Sequence, residues 1–180
     1  GYHEKIKITD NVEVSFRDAG HILGSAMAEF IVNGKKILFT GDLGNSPSML
    51  LPDTEKITDI DYLIMESVYG DRNHEDRDVR RERLAEVINE NQKRAGTLMI
   101  PTFSLERTQE LLYELDMLLK EKKIESVITF LDSPLAIRAN EVYRKFTSYY
   151  DEEAATAWKH HDDFLDFPGL HVTETVAQSK

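Results

Sequence analysis

Three features of the 180-residue sequence predict an α/β fold. Short apolar or alternating segments crowd its first third, and beyond about residue 75 helical patterns alternate with short strand patterns. The 41% hydrophobic content is enough for a core, yet no run approaches the ~20 residues a membrane span requires.

In the first third, Lys5 to Ile8, Val12 to Phe16, Met27 to Val32 and Lys36 to Thr40 read as strands. Asn33-Gly34 joins the last two, and both residues tolerate the positive φ of a type I′ turn, so an antiparallel hairpin is expected. Tyr62 to Glu66 is a further strand whose apolar run ends in a carboxylate. A helix follows over Glu75 to Arg94, with Leu84, Val87 and Ile88 on one face and Gly96 at its C-terminal end. Thr97 to Pro101 reads as a strand. Ser104 opens a helix to about Lys120, with Leu111, Leu112, Leu115, Leu118 and Leu119 as its apolar stripe. Ser126 to Leu131 is the next strand. Ser133 as N-cap with Pro134 at the first helical position predicts a helix to Thr147. A helix around Asp151 to His160, a Pro168-Gly169 turn and a strand from Leu170 to Val176 complete the pattern. Strand–helix–strand order in the second part implies parallel pairing.

Composition narrows the function. Zero cysteines exclude disulfides, thiolate zinc sites and a cysteine nucleophile, so any metal must use His, Asp or Glu. The 22 basic residues against 33 acidic ones leave a net charge of -11, which argues against holding nucleic acid through bulk electrostatics. GYHEKIKITD shows no basic n-region or apolar h-region, so the cytoplasm is the expected compartment and no membrane partner is expected.

Several residues can carry chemistry. His21 lies between glycines just after a strand, in DAGHILGSA; neutral imidazole ligates zinc, although a lone histidine in a turn is more often a hydrogen-bonded structural residue. Asp42 follows a buried strand in FTGDLG, where catalytic and metal-binding groups collect at a rigid open edge; satisfying turn amides is an equally good reading there. Glu66 closes an apolar strand and needs a partner, water or a site. Arg107, just inside a helix N-terminus, could meet phosphate, as could Ser104 or Ser133 with adjoining amides; for both serines helix capping is the favoured reading. Arg72, Arg77, Arg80, Arg81 and Arg83 are interleaved with acids and read as a salt-bridged helix rather than an RNA track. His74 reads as support for the site edge, and His160-His161 as surface.

The segments DAGHILGSA, FTGDLG, ESVYGDRNH, PTFSLERTQELLY and LDSPLA, in this order and spacing, resemble the β-CASP branch of the metallo-β-lactamase superfamily, the RNA-processing nucleases. The resemblance implies that residues 1–75 are the C-terminal part of an αββα metallo-β-lactamase domain and residues 76–180 the N-terminal part of a β-CASP domain with a parallel α/β sheet. It implies that His21 binds one zinc, that Asp42 bridges two, and that Glu66 is an acid near the scissile phosphate. Ser133 and Arg107 become candidate substrate contacts. The family commonly has Glu-Ser-Thr-Tyr-Gly where this chain has Val68 in place of the Thr.

The family signature His-x-His-x-Asp-His and its two later histidine motifs are absent, and would lie before residue 1 and after residue 180. The expectation is therefore part of a zinc-dependent ribonuclease, endo- or exonucleolytic, acting on single-stranded RNA. Two zinc ions are expected in the full-length enzyme, and weak zinc binding and no cleavage in this segment alone. The resemblance allows a homodimer of the full-length protein. The competing readings are a non-catalytic RNA-processing scaffold and another hydrolase of the same fold.

Overall fold

The alternating first third of the chain becomes a five-stranded sheet in the computed structural model, which describes residues 1–73, 76–159 and 163–179. The strands, in spatial order, are β1 (Ile6–Thr9), β2 (Val12–Asp18), β3 (Ala26–Val32), β4 (Lys35–Phe39) and β5 (Tyr62–Ile64). The first four run antiparallel, and β5 joins β4 in parallel. Val32 pairs with Lys35 across Asn33 (φ 49°) and Gly34 (φ 78°), the two-residue turn that the sequence predicts.

Register makes the two faces of this sheet chemically different. Ile6, Val14, Phe30, Ile37 and Tyr62 stand opposite one another strand by strand, and the next row is Phe16, Ala28, Phe39 and Ile64. Directly paired residues share a face, so this face is apolar throughout these rows. Its Ile6, Phe16, Phe39, Tyr62 and Ile64 stay exposed, Tyr62 at 58% of its maximal accessibility, while Val14 is buried. The other face carries Ser15, Arg17, Met27, Glu29 and Leu38. Here Ala19, Met27 and Leu38 form a small core against Leu43, Ile57 and Ile60 from the segments that follow β4. Glu29 is only 3% exposed on this side. Such a buried carboxylate needs partners, and it accepts from Arg17 (3.2 Å) and the Ser15 hydroxyl (3.3 Å), with Lys36 at 3.9 Å.

The chain divides into two compact units, Gly1–His74 and Glu75–Lys180. The second contains α1 (Arg77–Lys93), α2 (Arg107–Lys120), β6 (Thr129–Leu131), α3 (Pro134–Lys145), α4 (Glu152–Lys159), β7 (Leu170–Val172) and the short α5 (Val176–Ser179). β6 and β7 pair in parallel, as the strand–helix–strand order predicts. Its core includes an aromatic cluster. Phe164, fully buried, is packed by Tyr113, Trp158 and Tyr150 with ring centroids 5.0, 5.7 and 5.8 Å away. Burial, with Asp163 and Glu106 nearby, pushes the Tyr150 hydroxyl above its ordinary titration range, and this hydroxyl donates to the Tyr143 carbonyl.

Four expectations about elements need correction. Thr97 to Pro101 is not a strand: no other described strand pairs with it, and Leu98, Met99 and Ile100 stay exposed. A β-strand is defined by its ladder, so apolar pattern without a neighbour is insufficient. Ser104 does not cap α2. The N-cap position falls on Glu106 (φ 58°), no side chain caps it, and the Ser104 hydroxyl lies 3.1 Å from that of Ser133. After α1 the left-handed residue is Ala95 (φ 49°) rather than Gly96, whose amide donates to Asn91. Finally, Val176 begins α5 instead of ending a strand.

Two of the interleaved arginines, Arg81 and Arg83, make the ion pairs expected of a salt-bridged helix. Arg81 bonds Glu114 (2.9 Å) and Glu121 (2.8 Å), tying α1 to α2, and Arg83 bonds Glu86 (2.8 Å). His74, His160 and His161 lie outside the described residues. No helix among the described residues is long and apolar enough to cross a membrane.

Candidate functional site

Local hydrogen bonding builds the turn that carries His21. The Asp18 carboxylate accepts from the Gly20 amide (2.8 Å), an Asx-type turn that takes the chain off β2. The Ser25 hydroxyl accepts from the His21 and Ile22 amides (3.1 and 3.2 Å), and the Ser25 amide donates back to Ile22 (2.8 Å). Burial raises the Asp18 carboxyl above its ordinary range, a shift opposed by the Gly20 amide and increased by Glu55.

The turn that carries Asp42 forms where β4 ends. Thr40, buried, donates its amide to Ile64 (3.0 Å), continuing the β4–β5 ladder. Its hydroxyl donates to the Gly41 carbonyl (2.7 Å) and accepts from the Glu66 amide (3.3 Å). Gly41 (φ 56°) then takes a conformation that favours glycine, and Asp42 is exposed beyond it.

The structure joins His21 and Glu66 through a single residue, Leu43, which follows Asp42 in the chain. Its amide donates to Glu66 Oε1 (2.5 Å) and its carbonyl lies 3.2 Å from His21 Nδ1. A carbonyl only accepts, so Nδ1 carries the proton, and Nε2 of a neutral ring keeps its lone pair. Metal-ligating histidines are oriented in this way. The side chain of Leu43 packs on Ala19, Met27 and Leu38, which anchors the peptide that both His21 and Glu66 grip.

These donors fit part of a zinc site in type: an oriented imidazole and an exposed carboxylate on the next turn. Among the described residues, no group of three His, Asp or Glu side chains is placed to hold a metal ion. The candidate substrate contacts lie in the other unit. Ser133 accepts from the Ala136 amide (3.2 Å) and caps α3, and Arg107 is bonded to Glu110 one turn along its own helix (2.6 Å).

The residues that sequence reasoning missed are Thr40, Leu43 and Gly44. All three sit inside FTGDLG, but a hydroxyl, a peptide unit and a hydrogen atom act here through contacts that no residue pattern announces.

Fold and site together define an α/β protein with an imidazole and two carboxylates gathered at a sheet rim. A Beta-Casp domain model matches residues 108–180. The RNase J-like protein of Methanocaldococcus jannaschii is 38% identical over 152 residues, which is 82% of this chain and 36% of that protein. Ribonuclease TTHA0252 of Thermus thermophilus is 33% identical over 170 residues, covering 94% of this chain and 39% of its own. Cleavage and polyadenylation specificity factor subunit 3 of Dictyostelium discoideum is 33% identical over 153 residues, covering 84% of this chain and 20% of its own. The chain belongs to the β-CASP metallo-β-lactamase family of RNA nucleases. It spans well under half the length of these relatives, at 36%, 39% and 20%.

Proposed function

We propose that the full-length protein is a metal-dependent ribonuclease that hydrolyses phosphodiester bonds in single-stranded RNA. Residues 1–75 would be the later part of its metallo-β-lactamase domain and residues 76–180 the first part of its β-CASP domain. The observation that carries this reading is the Leu43 peptide, gripped by Glu66 at its amide and by His21 at its carbonyl. The partly exposed apolar face of the first sheet supports it too, because an apolar face gains stability when another layer covers it, as an αββα arrangement would.

His21, through Nε2, and Asp42 would hold zinc. Two such ions, when bound, polarise a phosphoryl oxygen and lower the pKa of a water, the nucleophile of an in-line displacement. The chain's own work is orientation. The Leu43 carbonyl orients the His21 ring through Nδ1 and leaves Nε2 of the neutral ring as the nitrogen free to ligate. Glu66 holds the Leu43 amide and with it the turn that presents Asp42. Two donors fall short of the three that a catalytic zinc usually takes, so residues 1–180 alone should bind zinc weakly and leave RNA intact. Stoichiometric, tight zinc in this segment would contradict that.

The decisive assay is RNA cleavage by the full-length protein with and without chelator, beside Asp42→Ala. Both treatments should lower the rate by at least ~100-fold, since even partners behind a metal ligand are worth 10–100-fold. Cleavage indifferent to both would remove the mechanism, and an absence of cleavage with intact RNA binding would favour the scaffold reading.

A further inference from the structure

We propose that Gly44 and Thr40 are positioning residues that set the spacing between the His21 turn and the Asp42 turn. The inference deepens the ribonuclease reading and rests on it.

The two turns meet backbone to backbone. The Gly44 amide donates to the Ala19 carbonyl (2.9 Å). A Cβ placed on Gly44 would lie 1.9 Å from the Gly20 carbonyl oxygen and 2.4 Å from its carbon. Ordinary contact needs a separation about 1.5 Å larger, so any side chain at residue 44 must drive the turns apart. The His21 turn cannot simply retreat. A Cβ on Gly20 would itself lie 2.7 Å from the Pro52 carbonyl oxygen and 2.8 Å from the Thr54 amide, so that turn is wedged between two backbones. The Thr54 hydroxyl also holds the Ala19 carbonyl (2.8 Å).

Gly44 is therefore required for closeness rather than for φ, since it is absent from the glycines with positive φ. Gly24, Gly34 and Gly41 are the reverse: positive φ, with open space where a Cβ would go. Thr40 fixes the other end of the same turn, joining the Gly41 carbonyl to the Glu66 amide through one buried hydroxyl. Metal–ligand distances tolerate about ±0.2 Å, so a parting of the turns by an ångström or more separates His21 from Asp42 as co-ligands.

The test uses the full-length protein and four variants: Gly44→Ala, Thr40→Val, Thr40→Ser and Gly34→Ala. Zinc affinity is measured by chelator competition, the ligand field by the visible spectrum of the cobalt(II)-substituted protein, and folding by melting of the metal-free protein. Gly44→Ala and Thr40→Val should each weaken zinc about 10- to 100-fold and shift the cobalt bands. Thr40→Ser, which restores the hydroxyl, should stay within about threefold of wild type and keep its spectrum. Gly34→Ala strains a hairpin turn without touching either loop, so it should lower the melting temperature and leave both metal readouts unchanged. If Gly44→Ala does not fold, Thr40→Val against Thr40→Ser decides. Folded Gly44→Ala or Thr40→Val with wild-type zinc affinity and cobalt spectrum overturns the inference alone. Wild-type protein that takes up no zinc overturns the ribonuclease reading and this inference with it.

Discussion

The unit Gly1–His74 places its candidate residues by backbone contact, whereas Glu75–Lys180 fixes its helices by buried side chains. In the first, a peptide unit between His21 and Glu66 and a glycine against a carbonyl do the positioning. In the second, Tyr143 donates to the buried Glu106 (2.5 Å), Gln109 donates to Asn140 (2.8 Å), and three aromatic rings surround Phe164. The difference separates two kinds of tolerance. A site held by close backbone contact and a few short polar side chains does not withstand an added Cβ, while a core made of large side chains is sensitive to lost volume and lost partners.

The largest effect should come from Phe164→Ala, which empties the centre of the aromatic cluster. Its cost should be about 3–5 kcal/mol, read as a lower urea midpoint followed by the emission of Trp158, the sole tryptophan. A cost under ~1 kcal/mol would mean that the second unit is not held by this core. Next, Glu29→Ala should destabilise the first unit by about 3 kcal/mol, because Arg17 loses a buried partner on a face that admits little water. Amide infrared melting of the sheet measures this; a near-neutral result would show that Glu55, 3.3 Å from Arg17, suffices.

Ser133→Ala should cost about 1 kcal/mol through the lost α3 cap. The same variant sharpens the comparison in a second way. If Ser133 is only a cap, RNA affinity of the full-length protein stays unchanged, and a tenfold loss of affinity would assign it to the substrate instead.

The smallest effect is in the acid pH dependence, and its sign differs between two carboxyls, Asp18 and Asp132. The Asp18 carboxyl is raised on folding, so the folded first unit holds this proton more tightly than the unfolded chain does. The contribution of Asp18 to stability should fall as pH rises from the ordinary carboxylate range through the raised value, against the opposite slope of the lowered Glu4 and Asp61. Asp132 is lowered by the Thr173 and Ser179 hydroxyls, so its contribution is full above the ordinary value and is lost as pH falls through the lowered one. Asp18→Asn keeps the acceptor for Gly20 and should flatten the first slope alone. Melting temperatures between pH 3 and pH 6, about the ordinary carboxylate range, test this, and an identical slope in wild type and variant would refute the assignment to Asp18.

Much of this was legible in the sequence. The Asn33-Gly34 hairpin, the Ser133-Pro134 start of α3 and the parallel pairing of β6 and β7 all follow from short-range rules. DAGHILGSA, FTGDLG and ESVYGDRNH identified the residues that meet at the rim. Thr97 to Pro101 reads as a strand and is not one, because a short apolar run reports the capacity to pair and not the presence of a partner. Ser104 reads as a cap and is not one, because a capping residue type is common in any turn, and here a turn over 104–106 precedes α2.

Local chemistry by itself determined the elements, the turn residues and the absence of any thiolate ligand, since propensity, φ preference and composition need no tertiary partner. Only the tertiary structure decided that Leu43 joins His21 to Glu66, that Gly44 must carry no side chain, and that Glu29 is buried among cations. These depend on segments as far apart as residues 20, 43 and 66 sharing one small volume, and the separation between two backbones is a property of packing that no single segment encodes.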